Sequence, residues 1–365
     1  MKLAVDSCLL HGGGIGRYLR ELTARWLERS EIHEILFMGD PDELDPFLEK
    51  HDDRRVGRVV GWPGGPYSVR RHVSWPGAPR RAAASADVTF FPHYDVPLFG
   101  VPSPYVVTVH DLTHFRVPEA FPAVKRWAGW RLLRRAVKGA EEVVTVSERS
   151  RRDLEHAFPR RTPRIQVVAN GVSSTFRRPS SAGADELPRS WNEKKPYLLF
   201  TGGDRPHKNL PFAIEVHRRL REEWPDLRLL VLGTIEGNGQ GPDGVVELGA
   251  LSDGELHGAL ADAIAVLIPS LYEGFGLPAL EAMACGTPVV VSNRGSLPEV
   301  VGDAAKVLDP VAPEPWVQAV LDLVEKPEAR TTWVQKGIER VDAFSWSKAA
   351  DQTLKILTAA RERRR

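Results

Sequence analysis

A chain of 365 residues is long enough for two domains with separate cores, and its 42 % apolar and 27 % charged residues are the proportions of a globular protein. Two cysteines, Cys8 and Cys285, supply neither a disulfide framework nor a zinc spacing; the opening MKLAVDSCLLHGGG is too polar and short for a signal peptide; and no apolar run approaches the ~20 residues that span a bilayer. The net charge of +1 hides an asymmetry, since residues 51–178 hold 22 Lys and Arg against 11 Asp and Glu. A reducing, cytoplasmic setting is the expectation.

In chain order, residues 2–5 read as a strand, 16–26 as a helix and 34–38 as a second strand. Strands follow at 88–91, 105–110 and 142–147, a helix at 148–158 and a strand at 165–168. Alternation of this kind predicts a parallel sheet with helices on both faces. Residues 173–195 lack periodicity and read as a linker. A second alternating unit has strands at 197–201, 227–232, 245–248, 263–269 and 288–292. Its helices fall at 209–223, 252–261, 278–284 and 315–325, and residues 348–360 form a last capped helix. Two doubly wound domains of this type bind ligands at the C-terminal ends of their strands, in the cleft between them.

The basic stretch includes the pairs Arg54-Arg55, Arg70-Arg71, Arg80-Arg81, Arg134-Arg135, Arg151-Arg152 and Arg160-Arg161. It predicts either a surface facing an anionic acceptor or anionic membrane, or a solvated surface rich in arginine. No nucleic-acid-binding module accompanies the charge. Within it, residues 125–138 interleave Trp127, Trp130, Leu133 and Val137 with six basic residues at helical spacing. The same stripe would serve a membrane-surface helix or an ordinary core face.

The most informative string is Glu273-Gly-Phe-Gly-Leu-Pro-Ala-Leu-Glu281. Its flanks predict strand, glycine loop, short helix, turn and strand, with Pro278 at the first helical position and Gly286 just past the end. A helix N-terminus opening onto a glycine loop attracts an anion, and carboxylates accept hydrogen bonds from vicinal hydroxyls. A sugar, a phosphate and a ribose in line would satisfy the whole string. The segment EGFGLPALEAMACGTPVVVS resembles the signature of the retaining glycosyltransferases of the GT-B fold, family four (glycosyl transferases group 1). The competing reading is an ordinary βαβ crossover whose glycines only make turns.

The resemblance implies an α/β GT-B architecture: two doubly wound Rossmann-like domains facing across a cleft, with the last helix crossing back. Residues 1–175 would be the acceptor-side domain, 176–345 the nucleotide-sugar donor domain and 346–365 the returning helix. Glu273, Gly274, Phe275 and Gly276 would hold the donor sugar, Leu277 the diphosphate and Glu281 the ribose. The loop His11-Gly-Gly-Gly-Ile-Gly-Arg-Tyr18 departs from the dinucleotide fingerprint, because Gly12 and Gly14 are not followed by a glycine at residue 17. It resembles instead the family's first glycine loop, which makes Gly13 and Gly14 diphosphate candidates. In Thr201-Gly-Gly-Asp-Arg-Pro-His-Lys-Asn-Leu210, Lys208 matches the family's lysine at the leaving diphosphate. Where many members carry arginine this chain has Gly202, and Arg205 is the candidate substitute.

Val109-His110-Asp111-Leu112 ends a strand and resembles the string whose histidine lies beside the reacting sugar, so His110 joins Glu273 as a catalytic candidate. Ser147 resembles part of a family string but also suits a helix N-cap. Asn170-Gly171 is a turn signal first. Leu248 to Ser252 resembles the base-holding segment, with Ala250 and Leu251 as its contacts. Asp40-Pro-Asp42 imitates a metal-binding pair but suits a turn and cap better. No cofactor and no obligatory metal are expected. The function implied is transfer of a hexose, leaning to mannose, from a GDP-, UDP- or dTDP-sugar to a glycan, lipid-linked or small-molecule acceptor. Such reactions belong to the synthesis of cell-surface polysaccharides and glycoconjugates. The alternatives are a sugar-nucleotide epimerase or phosphorylase on the same architecture, and a non-catalytic nucleotide-sugar sensor.

Overall fold

The structure, a computed structural model, describes residues 1–11, 13–51, 57–159, 164–177, 196–235 and 241–363. The chain divides into two compact units. The first comprises residues 1–112, 122–171 and 345–365, and the second residues 113–121 and 172–344. The division is therefore not a single boundary near residue 175: the short helix Thr113–Arg116 and the 3-10 turn Pro118–Ala120 count with the second unit. Most of the expected linker, from residue 178 to 195, lies outside the described residues.

The first unit holds a seven-stranded sheet of β1 (Lys2–Asp6), β2 (Glu34–Gly39), β3 (Gly57–Gly61), β4 (Val88–Phe91), β5 (Tyr105–Val109), β6 (Glu142–Thr145) and β7 (Ile165–Val167). Their order is β3-β2-β1-β4-β5-β6-β7 and every pairing is parallel. Strands β4, β5 and β6 are buried at every position. They read as mostly apolar runs, broken by three threonines and Glu142, because helices cover both faces of a parallel sheet. Strand β3 escapes the sequence pattern: it is an edge strand, GRVVG, with only two apolar residues and one paired neighbour.

The second unit holds β8 (Tyr197–Thr201), β9 (Arg228–Leu232), β10 (Val245–Gly249), β11 (Val266–Ile268), β12 (Val289–Ser292) and β13 (Lys306–Leu308), in the order β10-β9-β8-β11-β12-β13 and again parallel. Leu198, Phe200, Val231, Leu267 and Val290 pack there against the helices Leu210–Glu223 and Pro313–Glu325 through Leu220, Trp316 and Val320. The three-residue edge strand β13 and the helices Leu297–Val301 and Pro327–Val341 were not legible as elements. The expected strand at 263–269 contracts to Val266–Ile268.

Two readings of the basic stretch change. Leu133 and Val137 of the helix Ala123–Gly139 are buried, but Trp127 is 63 % exposed with Arg131 over its ring, so the stripe splits into a core part and a surface part. Arg71, counted among the surface pairs, is completely buried.

The last helix, Trp346–Glu362, packs within the first unit. The Trp26 indole donates to the Ala350 carbonyl at 3.0 Å, Tyr18 meets the Trp346 ring at 6.1 Å, and Arg363 pairs with buried Glu142. Gly171 is more than a turn residue here, because a Cβ on it would overlap the Trp346 backbone nitrogen. No helix among the described residues is long and apolar enough to cross a membrane.

Candidate active site

In each sheet the strand order reverses once, between β1 and β4 and between β8 and β11. Such a reversal leaves a crevice at the strand C-terminal ends, where open α/β sheets bind ligands. In the second unit the segments leaving β8 and β11 meet there. After β8 the chain turns through Gly202 into the 3-10 turn Pro206–Lys208. After β11 it reaches Ser270 and Glu273. Lys208 Nζ lies 2.6 Å from Glu273 Oε1, and the Ser270 hydroxyl donates to the same oxygen at 2.7 Å. The two charged side chains keep only 11 % and 12 % of their exposure. Burial alone would raise the Glu273 carboxyl, but the charge and hydrogen bond of Lys208, with help from Ser270, hold it below the ordinary carboxylate value.

Asn209 fixes this junction. It occupies a left-handed conformation, φ 63°, which asparagine tolerates better than most residues. Its side-chain amide donates to the carbonyls of Pro269 at 3.2 Å and Pro310 at 3.3 Å, tying the β8 loop to the loops after β11 and β13. Leu271 N–H donates to the His207 carbonyl at 2.8 Å.

The structure explains the glycine that stands where an arginine was expected. Gly202 has φ 124°, and a Cβ there would come within 2.8–3.0 Å of the Lys208 stem. The lysine stem runs where a side chain at 202 would have to start. Arg205 is exposed at the head of the turn.

Glu273 to Gly276 are clamped from the other side by a segment that the sequence did not single out. The Ser296 N–H and hydroxyl both donate to the Glu273 carbonyl, at 3.1 and 3.0 Å, and the hydroxyl also lies 2.9 Å from the Phe275 carbonyl. Gly295, φ 60°, passes so close that a Cβ would sit 2.5 Å from Glu273 N. Phe275 is buried and edges onto Phe344 at 5.7 Å. The helix that follows spans Leu277–Ala284; it starts one residue earlier than expected, so Pro278 is its second residue. Gly276 at its head offers no side-chain cap, which leaves the positive end of the helix facing the glycine loop. Glu281 is buried on the same helix. Gly286 follows the helix end with φ 75°. Ala250, exposed, and Leu251, half-buried, sit in the loop at the end of β10, where Gly233 N–H bonds the Gly249 carbonyl at 2.9 Å. Ser252 then opens the helix Asp253–Ala261 with a capping box to Glu255.

In the first unit Gly13 and Gly14 are exposed at the head of the helix Gly13–Leu27, after β1. His110 follows β5. Its ring stands edge-on to Tyr18 at 4.8 Å, and Nε2 donates to the Pro92 carbonyl at 2.9 Å. Burial lowers the imidazole below its ordinary value, so it is neutral near pH 7, and with the proton on Nε2 the lone pair remains on Nδ1. Ser147 caps its helix through Ser150 N–H at 3.1 Å, and Asp40 caps the helix Pro41–Lys50 through Asp42 N–H at 3.1 Å. Both are structural placements.

Residues 12–176 match the profile of glycosyltransferase family 4, and residues 185–340 that of the glycosyl transferases group 1. The O-antigen chain mannosyltransferase B of Escherichia coli is 30 % identical over 377 residues, which cover 93 % of this chain and 94 % of that protein. The chain is a group 1 glycosyltransferase of the GT-B fold. The MMP alpha-(1->4)-mannosyltransferase of Mycolicibacterium hassiacum is 33 % identical to this glycosyltransferase over 279 residues, 70 % of this chain and 66 % of that protein. The structure of Anabaena HepE in complex with UDP and glucose shares the fold, with a TM-score of 0.76 at 19 % identity over 98 % of this chain and all of that one.

Proposed function

We propose that this glycosyltransferase moves a hexose, mannose foremost, from a nucleoside-diphosphate sugar to an acceptor hydroxyl with retention of configuration at C1. The observation that carries the reading is the Lys208–Glu273 pair at the switch point of the second sheet. An ammonium paired with Glu273, at the start of the loop that leads into the helix head Gly276-Leu277, suits a diphosphate leaving group, whose developing charge such groups stabilise. Glu273 and the backbone of Gly274, Phe275 and Gly276 suit the sugar hydroxyls, Glu281 the ribose, and the Ala250-Leu251 backbone the base. Gly13 and Gly14 are assigned to the diphosphate on the string they occupy, with Arg205 as a further cation for it, and His110 to the reacting hydroxyls through Nδ1.

Glu273 Oε1 is already committed to Lys208 and Ser270, which favours a hydroxyl-holding role over attack on C1. In this scheme the bond from C1 to the diphosphate oxygen breaks, the bond from C1 to the acceptor oxygen forms on the same face, and the acceptor proton passes to the diphosphate. Lys208 and the helix end supply the positive charge, so no metal is required. The lean to mannose rests on relatives that carry mannosyltransferase names. The proposed donor nucleotides are GDP, UDP and dTDP; HepE holds UDP.

A panel of GDP-, UDP- and dTDP-sugars tests the proposal. Turnover of one donor is expected. Binding without turnover would favour the sensor reading, and stabilisation by none of the nucleotides would remove the donor assignment. Within the panel, Glu281→Ala is expected to weaken nucleotide affinity about tenfold, the worth of a charge-assisted hydrogen bond, with turnover at saturating donor nearly unchanged.

The acceptor side of the proposal includes a peripheral contact with an anionic membrane. Val69 and Val73, Leu98 and Phe99, and Val124 and Trp127 are exposed apolar residues of the first unit. Two hydrogen bonds join the segments that carry them: Trp75 Nε1 to the Gly100 carbonyl at 2.9 Å and Arg135 Nε to the Pro97 carbonyl at 3.2 Å. Arg70, Lys125, Arg126 and Arg131 flank the patch in sequence. Flotation with phosphatidylglycerol vesicles is expected at 0.1 M salt and lost at 0.5 M, because screening shortens the reach of these charges. Failure to float with anionic vesicles at low salt would sink this part.

A further inference from the structure

The helix Pro327–Val341 buries little of itself: of its residues only Gly337 and Val341 are buried. None of the roles above uses it. It nevertheless meets the Glu273–Glu281 element and its clamp at three places. Gly337 lies against the helix Leu277–Ala284, so close that a Cβ on it would come within 3.2–3.3 Å of the Met283 side chain. Arg340 reaches the short helix Leu297–Val301, where its Nε donates to the Val300 carbonyl at 2.8 Å and its Nη2 to the Glu299 carbonyl at 2.7 Å. Phe344, just past the end of the long helix, is buried and makes the ring contact with Phe275. The Arg340 guanidinium lies 5.0 Å from the centre of the Phe344 ring.

The Arg340 contact has the form of a cap. The last carbonyls of a helix lack intrahelical partners, and a cation there also meets the negative end of the helix dipole. At the other end of the same short helix stand Gly295 and Ser296, the two residues that grip the Glu273 backbone. Leu297, its first residue, is fully buried against Gly276, where an added Cβ would meet the leucine side chain at 2.7 Å. A helix of five residues closes few hydrogen bonds of its own and holds no position by itself. What fixes it is the guanidinium fork at one end and the Glu273 peptide at the other. The fork defines an orientation that a point charge does not. Because the same guanidinium also lies over Phe344, the cap and the ring contact converge on one loop, Glu273 to Gly276.

We propose that Arg340, together with Phe344, is a positioning residue for Glu273, acting through Ser296 and Phe275. The part of Glu273 in the transfer rests on the function proposed above; the bracing does not. Arg340→Met keeps the stem and removes both hydrogen bonds. Its turnover is expected to fall about 10–100-fold, the scale set by displacements of up to ~1 Å at a reacting group. Affinity for whichever of GDP, UDP and dTDP the wild type binds should stay unchanged. Arg340→Lys, which restores the charge but not the fork, should fall between the two. Ser296→Ala should also lose turnover, and the double variant with Arg340→Met should lose no more than the worse single one, because both act on the same peptide. Losses that multiply would overturn the proposal. So would wild-type turnover in Arg340→Met, or an equal loss of nucleotide affinity, the sign of general damage. Lys336→Met removes an exposed pair with Asp303 from the same helix and is the control expected to change nothing.

Hydrogen exchange read by mass spectrometry separates the bracing from the transfer. In Arg340→Met, peptides covering residues 271–276 and 295–302 should exchange about fivefold faster, the worth of one hydrogen bond. Peptides of β8 and β9 should keep the wild-type rate. That pattern in a protein that turns over no nucleotide sugar would leave the bracing standing and remove the transfer reading. Transfer at the wild-type rate with unchanged exchange in the variant would do the reverse. If Arg340→Met does not fold, Arg340→Lys and Phe344→Leu carry the same readouts.

Discussion

Lys208→Met is expected to lower turnover by about 10²–10³-fold, the usual cost of removing one preorganised group that stabilises developing charge. Loss of the lysine also strands Glu273, which then keeps its burial without its counter-ion. The two proteins should consequently respond to pH in opposite directions. In the wild type the folded-state pKa of Glu273 lies below the ordinary carboxylate value. The pair therefore contributes stability above that value and loses it as pH falls through the lower, folded-state one. In the variant, burial, the largest single influence, is opposed only by the Ser270 hydroxyl and His207 and raises the carboxyl, so the folded state favours the protonated form and loses stability as pH rises through the raised value. Melting temperatures between pH 3 and 8 display the contrast. Turnover within tenfold of wild type, or the same loss on acidification in both proteins, would contradict the assignment. Glu273→Ala should lose turnover to a comparable degree and leave Lys208 as the unpaired partner, with a stability cost of about 3–5 kcal/mol if the site stays dry.

The second large effect is expected from Gly295→Ala, which touches no proposed ligand. The new methyl would lie 2.5 Å from Glu273 N and 2.6 Å from its carbonyl oxygen, and both are backbone atoms that cannot swing aside. Adding the left-handed φ of 60°, the change should cost about 2–4 kcal/mol and lower the melting temperature by about 5–10 °C. Because the strain falls on the peptide that aims the Glu273 side chain, turnover should fall as well. Gly100→Ala makes the control for backbone conformation, since φ is 84° there but nothing lies within 4 Å of the added carbon. A Gly295→Ala protein as stable and active as wild type would mean that the 295–296 segment does not brace the Glu273 loop.

These contrasts mark what the sequence could disclose. Glu273, Glu281 and Lys208 stand in strings whose spacing survives as text, and the sheets that position them are runs of Val, Leu and Ile. Asn209, Gly295 and Ser296 were missed because they act on backbone groups of loops distant in sequence, and such contacts leave no periodic trace; Ser270 was missed because a lone hydroxyl three residues before Glu273 carries no local mark of its bond to that carboxylate. Edge strands β3 and β13 are short and half-covered, so they lack the apolar run of an interior strand. Arg71 was hidden for a different reason. In a stretch crowded with arginines, nothing local separates the one that is buried from those that are solvated. Gly202 is a departure from the family pattern that only coordinates interpret, through the path of the Lys208 stem.

The docking of helix Trp346–Glu362 into the first unit has a consequence for how the protein is made. At ~5–20 residues per second, residues 172–344 take roughly 10–30 s to synthesise. Throughout that interval Trp26 lacks the Ala350 carbonyl, Glu142 lacks Arg363, and Gly171 has no Trp346 backbone to lie against. The second unit, by contrast, has all its residues once Phe344 has been added. The half of the enzyme that leaves the ribosome first is the half that must wait to close, with an apolar face for chaperones to shield until residues 345–365 arrive.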